Sequence, residues 1–469
     1  MQQHIVVIGM GYVGIPCAVL LANVEGFQVT GVQRRSRRSG WKIECLNSGE
    51  CPFEGDEPGL AELIKRVVDK GTFHVTDDIS VCQQADVILI DVQTPTDGDH
   101  VPHYESLREV LSNMGQYLRR GTLVVVESTV APGTVQHLVK PLLEERSGLQ
   151  AGRDFYLAFS YERVMPGKLL EYIVNFPRVV GGIDEESTRR AVELYSHIVR
   201  REITATDCLT AEVAKTVENA YRDVNIAFAN EVALICESLG VDVYEVRELI
   251  NARPDRHMHL PGAGVGGHCL PKDSWLLCYG LREYGRMPVD PTMITLARQI
   301  NDSMPLHVLQ LVEEALTEKG LALAEARVAV LGVAYMENSD DIRNTPARSL
   351  IEVLLSRGAS VVAHDPYVGA FEGVEFTHDL ETALRGADCV VVMTRHKDYL
   401  NFELDRVREL MRTPVLVDGR STYAPEACAA AGFVYRGVGR GQCAGTDKWK
   451  PRELKPVLVK VALADVVRM

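Results

Sequence analysis

His4-Ile5-Val6-Val7-Ile8-Gly9-Met10-Gly11-Tyr12-Val13-Gly14 is the stretch from which the fold can be read. A short β-branched run leads into a glycine turn, and a helical period follows. Gly9 permits the tight turn, Gly11 lets the backbone approach a pyrophosphate, and Gly14 lets helix and strand pack closely. The helix N-terminus supplies free N–H groups and the positive end of its dipole. A glycine-rich turn in any buried βα unit would look similar, but the strand and helix stand where dinucleotide binding needs them. Further runs at Val29 to Val32, Val87 to Leu89 and Leu123 to Val126, each before a helical period, continue a βαβ rhythm. That rhythm predicts a parallel sheet covered on both faces.

The last third repeats the pattern, with strands expected at Arg327 to Leu331, Ser360 to Ala363, Cys389 to Met393 and Val415 to Val417. Between the two lies a segment without Pro or Gly and with an apolar period near 3.6, which predicts one long helix from Thr206 to Glu237. The fold class expected is therefore α/β: two Rossmann-like, doubly wound parallel-sheet domains joined by a long central helix. We divide the chain into residues 1–205 for the cofactor, 206–320 for the helical centre and 321–469 for the second α/β unit.

Bulk properties exclude several function classes. A chain of 469 residues is too long for one compact core. A formal net charge of -14 argues against nucleic acid as the main partner. No apolar stretch is long enough for a membrane span, and the N-terminal run lacks a basic leader. Eleven cysteines, an odd number with no CxxC pair, suggest reduced thiols in a cytoplasmic compartment and no metal site.

One cysteine has an unusual setting, Pro261-Gly262-Ala263-Gly264-Val265-Gly266-Gly267-His268-Cys269-Leu270-Pro271-Lys272-Asp273. Such glycine density gives a loop whose backbone can approach a ligand and leave N–H groups free. Lys272 is expected to favour the thiolate, and Asp273 to orient a water or the loop. At the end of the second strand, Gln33 stands where an acidic residue would hold the adenosine ribose. Arg34, Arg35, Arg37 and Arg38 follow. From these residues alone NAD and NADP both remain open.

The segment ending Gly-Gly-His-Cys-Leu-Pro-Lys-Asp resembles the catalytic segment of the UDP-glucose/GDP-mannose dehydrogenase superfamily. Matching motifs follow in that family's order: Gly9 to Pro16, Glu57-Pro58-Gly59-Leu60, Gln93-Thr94-Pro95, Glu127-Ser128-Thr129-Val130 and Glu162-Arg163-Val164. Ala211 to Lys215, Glu218 to Arg222, Asp340 to Arg343, His364 to Tyr367 and Asp418-Gly419-Arg420 continue the series. The resemblance implies an NAD-dependent, two-step oxidation of a nucleotide sugar's primary alcohol to a carboxylate through a thioester on Cys269. It implies that Lys215 and Asn219 stabilise an oxyanion. They stand four apart on the expected helix and so share one face. Glu162 would be the base for thioester hydrolysis, with Thr129 and Asp273 holding the water.

For the cofactor, the resemblance points to Gly9, Gly11, Tyr12, Val13 and Gly14 on the turn, and Gln33 and Arg34 on the second strand. Thr94, Pro95, Ser128, Thr129, Lys272 and Arg343 complete that set. For the sugar nucleotide it points to Glu162, Arg163, Val164, Lys215, Asn219 and Arg222, with Arg256, Gly262, Gly264, Gly266, Tyr335 and Met336. Three positions depart from the family's pattern: Met336 replaces a usual lysine, Tyr161 a usual proline and Gln33 a usual aspartate. Gly264-Val265-Gly266-Gly267-His268-Cys269 is similar to members acting on UDP-N-acetylhexosamines. UDP-N-acetylmannosamine is therefore the expected substrate, ahead of UDP-N-acetylglucosamine or -galactosamine, with UDP-glucose as the alternative. The long helix is too apolar to be solvated all round, which suggests a homodimer, and in relatives the position of Arg256 can reach an adjacent subunit's substrate. Two rivals weigh less. A nucleotide-sugar epimerase would need Tyr-x-x-x-Lys, whereas Tyr221 is followed by Asn225. A non-catalytic binding protein would not need Cys269, Lys215, Asn219 and Glu162 together.

Overall fold

The computed structural model describes residues 2–441 apart from Arg38, Glu54 and Asp56. Arg38 of the basic run and the end of the 321–469 unit, from 442 onward, lie outside the described residues.

The first sheet has eight strands: β1 (Gln3–Ile8), β2 (Phe27–Val32), β3 (Phe73–Thr76), β4 (Val87–Ile90), β5 (Leu123–Val126), β6 (Tyr156–Phe159), β7 (Arg178–Gly182) and β8 (Ile203–Asp207). Their order is β3-β2-β1-β4-β5-β6-β7-β8. Strands β1, β4 and β5 are wholly or almost wholly buried along Val6–Ile8, Val87–Ile90 and Leu123–Val126. This is why they read as continuous apolar runs rather than alternating ones. One pair departs from the expected parallel sheet: β6 and β7 run antiparallel. The connection between them carries Glu162 and the helix Leu169–Asn175, and it doubles back instead of crossing over.

The second sheet comprises β9 (Arg327–Leu331), β10 (Ser360–His364), β11 (Glu375–Thr377), β12 (Cys389–Val392), β13 (Val415–Asp418) and β14 (Val434–Gly437). Its order is β11-β10-β9-β12-β13-β14, all parallel. Between the sheets runs a spine helix, Cys208–Leu239, flanked by the helices Leu270–Tyr284 and Thr292–Glu318. The spine starts two residues later than its apolar period suggested, because Thr206 belongs to β8 and Asp207 caps the helix. The Asp207 carboxylate accepts from Thr210 N at 2.9 Å. Gly240, at φ 75°, ends it. No helix among the described residues is long and apolar enough to cross a membrane.

Candidate active site

The glycine turn follows β1. Gly9 has φ 109°, and a Cβ there would lie 2.3 Å from the Asp91 carbonyl oxygen, so packing alone demands glycine. A Cβ on Gly14 would sit 2.0 Å from the Gly9 carbonyl oxygen, and helix and strand meet there. At Gly11 a Cβ would meet nothing within 4 Å. The protein leaves that side open, as a pyrophosphate cradle requires. No side chain caps the helix Gly14–Ala22 that follows. Tyr12 stacks on Phe53 at 4.4 Å beside this opening, and the Arg343 guanidinium from the second α/β unit lies 5.9 Å from the Tyr12 ring. These residues fit a dinucleotide.

At the end of β2, the Gln33 carboxamide accepts from Met10 N at 3.2 Å and donates to Ser39 Oγ at 3.0 Å. Arg34 is exposed and faces Glu109 at 3.5 Å, while Arg35 is held by Asp77 and Glu44, each at 2.8 Å. Arg34 and Arg35 are thus engaged with carboxylates rather than left free for a cofactor phosphate. On the far side, Thr94 Oγ1 donates to the Thr129 carbonyl at 2.6 Å and Ser128 Oγ to the Val92 carbonyl at 2.7 Å. These bonds tie the strand ends beside exposed Pro95.

Beneath the turn lies a polar cluster of which the sequence motifs name only Glu127. Asp91 and Glu127 stand just past β4 and β5, Arg178 opens β7, and Tyr195 and Cys17 come from two helices. Glu127 accepts from Arg178 and from Tyr195 Oη, the latter at 2.8 Å. Burial and the Glu127 carboxylate hold the Asp91 carboxyl well above the usual carboxylate range. Both Asp91 oxygens and Glu127 Oε2 are buried without a hydrogen-bond partner among the described residues.

The thiol loop is wedged between the spine and the second sheet. Arg298, Asp223, Asn301 and Asn230 form a buried chain of hydrogen bonds that ends where Gly262 N donates to Asn230 Oδ1 at 2.9 Å. A Cβ on Gly264 would press on Pro305 and Pro346, and one on Gly266 would lie 2.6 Å from Tyr335 Cβ. Arg420 donates to the Gly264 carbonyl at 3.0 Å, and Gly267 N to the Arg343 carbonyl at 2.9 Å. The second α/β unit therefore sets the loop's path.

Cys269 stands at the N-terminus of Leu270–Tyr284 and is open to solvent at the cleft. Desolvation by the surrounding protein, with Asp273 next to it, nevertheless pushes its thiol up, while Lys215 and Lys272 pull it down. The expected help from Lys272 exists but does not prevail over burial and Asp273, and Lys272 Nζ is itself 2.7 Å from Asp273 Oδ1. Asn219 Nδ2 donates to Asp273 Oδ2 at 2.5 Å, and Lys215 Nζ to the Glu162 carbonyl at 2.9 Å. Lys215 is buried rather than a solvated helix lysine. Burial alone would lower its pKa, but facing Glu162, Cys269 and Asp273 it is held above the usual value. Burial raises the Glu162 carboxyl, partly offset by Lys215 and by the Val164 N–H that donates to it.

Arg163 does not pair with Glu162. It holds Glu218 of the spine at 2.9 Å and the Pro177 carbonyl at 2.6 Å. Tyr161 lies buried beneath it, 5.3 Å from Lys215 Nζ. Thr129 lies near the end of β5, and its hydroxyl bonds to neither Glu162 nor Asp273 among the described residues. His268 is pushed down to about 4 by burial and by Lys272, so it is neutral at physiological pH. Arg222 touches Met165 Sδ, and exposed Arg256 pairs with Asp255 at 2.7 Å. Neither joins Cys269 within this chain.

Three family models match in chain order. They are the UDP-glucose/GDP-mannose dehydrogenase family NAD binding domain over residues 3–199, its central domain over 209–303, and its UDP binding domain over 329–425. The chain is 39% identical to a UDP-N-acetyl-D-mannosamine dehydrogenase of Pyrococcus horikoshii, over 94% of this chain and 100% of that one. It is 33% identical to an NDP-N-acetyl-D-galactosaminuronic acid dehydrogenase of Ralstonia solanacearum, over 91% and 98%. The crystal structure of the NDP-N-acetyl-D-galactosaminuronic acid dehydrogenase of Methanosarcina mazei Go1 superposes with a TM-score of 0.85 at 44% identity, covering 94% and 96%.

Proposed function

The chain belongs to the UDP-glucose/GDP-mannose dehydrogenase family and is an NAD-dependent UDP-sugar dehydrogenase; from that premise we propose that it oxidises the C6 alcohol of a UDP-N-acetylhexosamine to the carboxylate through a thioester on Cys269. The observation that carries this reading is the meeting of Cys269, Lys215, Asn219, Asp273 and Glu162 at one cleft, from three separate elements. NAD held at the open glycine turn would supply the hydride acceptor for both oxidations. The Cys269 thiolate adds to the aldehyde carbon, and Lys215 and Asn219 face the oxygen that becomes negative. Loss of the second hydride leaves the thioester. Glu162, its carboxyl raised above its ordinary value by burial, takes a proton from the attacking water, and Cys269 departs as thiolate. A covalent adduct is what keeps the aldehyde carbon in place with a second hydride to lose.

The N-acetylmannosamine nucleotide is the first choice, supported by the Pyrococcus relative and by the modest bulk of Val265 in the thiol loop. The N-acetylgalactosamine nucleotide is the second, supported by the Methanosarcina likeness. The same reading assigns NAD to residues 1–205, the thiol and a dimer face to 206–320, and the UDP-sugar to 321–469. The dimer reading draws on the spine's exposed apolar residues, among them Tyr221 and Phe228, and gives Arg256 a place at the neighbouring protomer's cleft. Ten free thiols among the described residues support a reducing, cytoplasmic setting.

The test is cofactor reduction followed to completion with UDP-N-acetylmannosamine, -glucosamine, -galactosamine and UDP-glucose, each with NAD and NADP. Two NAD reduced per mannosamine nucleotide is the expected result. Turnover with UDP-glucose alone would overturn the acetamido reading and keep the chemistry. One cofactor per sugar would overturn the thioester route.

A further inference from the structure

In the second sheet the chain moves outward from β9 to β10 on one side and β12 on the other, so the crevice beyond the ends of β9 and β12 is its topological switch point. A cavity of about 300 Å³ opens there, lined by Tyr335, Met336, Glu337, Thr394, Arg395 and Arg420. Tyr335 packs against Gly266 and Gly267 of the thiol loop, so this cavity adjoins the cleft of Cys269.

The wall carrying Arg395 is bolted on both sides. Thr394 Oγ1 donates to the Ala334 carbonyl at 2.5 Å. His396 pairs with Asp365 at 3.0 Å and receives the Asn338 N–H at 2.9 Å. Asp365 also accepts from Val333 N and Ala334 N. Arg395 between them makes no hydrogen bond or ion pair among the described residues, and its Nε is buried without a partner. A guanidinium that is fixed at its root, half desolvated and unmatched is poorly satisfied by the protein alone. Arg420 differs, since its Nε and Nη2 are already given to the Met393 and Gly264 carbonyls. The lone carboxylate in the lining, Glu337, is exposed.

We propose that Arg395 binds the diphosphate of the nucleotide sugar and supplies the positive charge that Met336 does not. Its planar fork suits phosphate oxygens two at a time, which a lysine at 336 would have contacted as a point charge. The inference rests on the reading of this unit as the UDP-sugar site. Arg395 thereby becomes a binding residue for the substrate's nucleotide half and has no part in the chemistry at C6.

Calorimetric titration with UDP, using the wild type, Arg395→Gln and the double variant Arg395→Gln/Met336→Lys, tests it, with NAD affinity as the control for folding. The wild type should bind UDP. Arg395→Gln should weaken UDP about 10–100-fold with NAD unchanged, and the double variant should recover most of the loss. UDP affinity unchanged in Arg395→Gln would overturn the assignment and leave the UDP-sugar reading intact. Loss without recovery in the double variant would refute the exchange of cations between positions 395 and 336. A wild type that does not bind UDP would overturn the underlying reading itself.

Discussion

Asp273 opposes the two lysines around the same sulfur. It raises the Cys269 thiol, whereas Lys215 and Lys272 lower it, all on top of the larger effect of burial. Replacing Asp273 by Asn removes the raising charge and lets thiolate form at lower pH. Alkylation of Cys269 by iodoacetamide near neutral pH should therefore be faster in Asp273→Asn than in the wild type, although turnover should fall because Asn219 loses its carboxylate partner. Slower alkylation would show that Asp273 does not set the thiol. Glu162 obeys the opposite requirement, since a base must be ionised. Burial raises its carboxyl, so activity should fall on the acid side at a pH above the ordinary carboxylate range. Glu162→Gln should lower kcat about 10²–10⁴-fold and accumulate an acyl-enzyme visible by intact mass. An unmodified protein of equally low activity would remove Glu162 from hydrolysis. The sequence made Cys269 legible through its run of glycines, and Lys215 with Asn219 through the family resemblance, with which their spacing of four on one helix face agrees. Asp91 and Arg395 carried no such local signal. Asp91 matters because the glycine turn and Glu127 approach it from other strands, and Arg395 because its neighbours are pinned to loops some sixty residues earlier.

The spine helix does more than separate the sheets. Glu212, buried on it, accepts Gly133 N at 2.7 Å and Val135 N at 2.8 Å and so fixes the turn after β5 that carries Pro132. A Cβ on Gly280 of the thiol helix would press on Pro132, so that turn in turn abuts the helix begun by Cys269. Glu212→Ala should cost about 2–5 kcal/mol, read by denaturant unfolding, because two buried N–H groups lose their acceptor. Burial pushes the Glu212 carboxyl up to about 8 from its ordinary 4.5. Between those values the folded state holds a proton that the unfolded chain has released, so this residue's contribution falls as pH rises through that window. The stability difference between the wild type and Glu212→Gln should therefore shift against the wild type from pH about 5 to about 8. A difference independent of pH would show that the carboxylate stays ionised. At this scale the periods served well, since buried strands announce themselves as apolar runs and the spine as an unbroken helical stretch. They could not show that β7 reverses, because strand direction depends on where the β6–β7 connection packs.

For the molecule as a whole, the decisive feature is a face of the spine that the other described residues leave open. Leu209, Val213, Val217, Tyr221, Phe228, Ile235 and Leu239 are all exposed. At 100° per residue they fall within about 120° of one another, a single stripe. In the dimer proposed above, a twofold partner would cover this stripe with its own copy of it. Arg256 is exposed, and among the described residues its side chain pairs with its neighbour Asp255; in the proposed dimer it would reach the partner's cleft. If it serves the partner's cleft, Cys269→Ser and Arg256→Ala damage different sites of a mixed dimer. One site keeps its thiol and receives the intact arginine, while the other loses both. Unfolding and refolding an equimolar mixture of the two variants, each nearly inactive alone, should restore activity to about a quarter of the wild-type sites. If Arg256 acts within its own protomer, every site in the mixture lacks either the thiol or the arginine and no activity returns. A second arm separates assembly from arginine placement. Phe228→Glu on the stripe should sediment as a monomer and, without a partner to donate Arg256, show a raised KM for the sugar nucleotide with NAD affinity unchanged. A wild type that sediments as a monomer would overturn both the interface and the shared cleft.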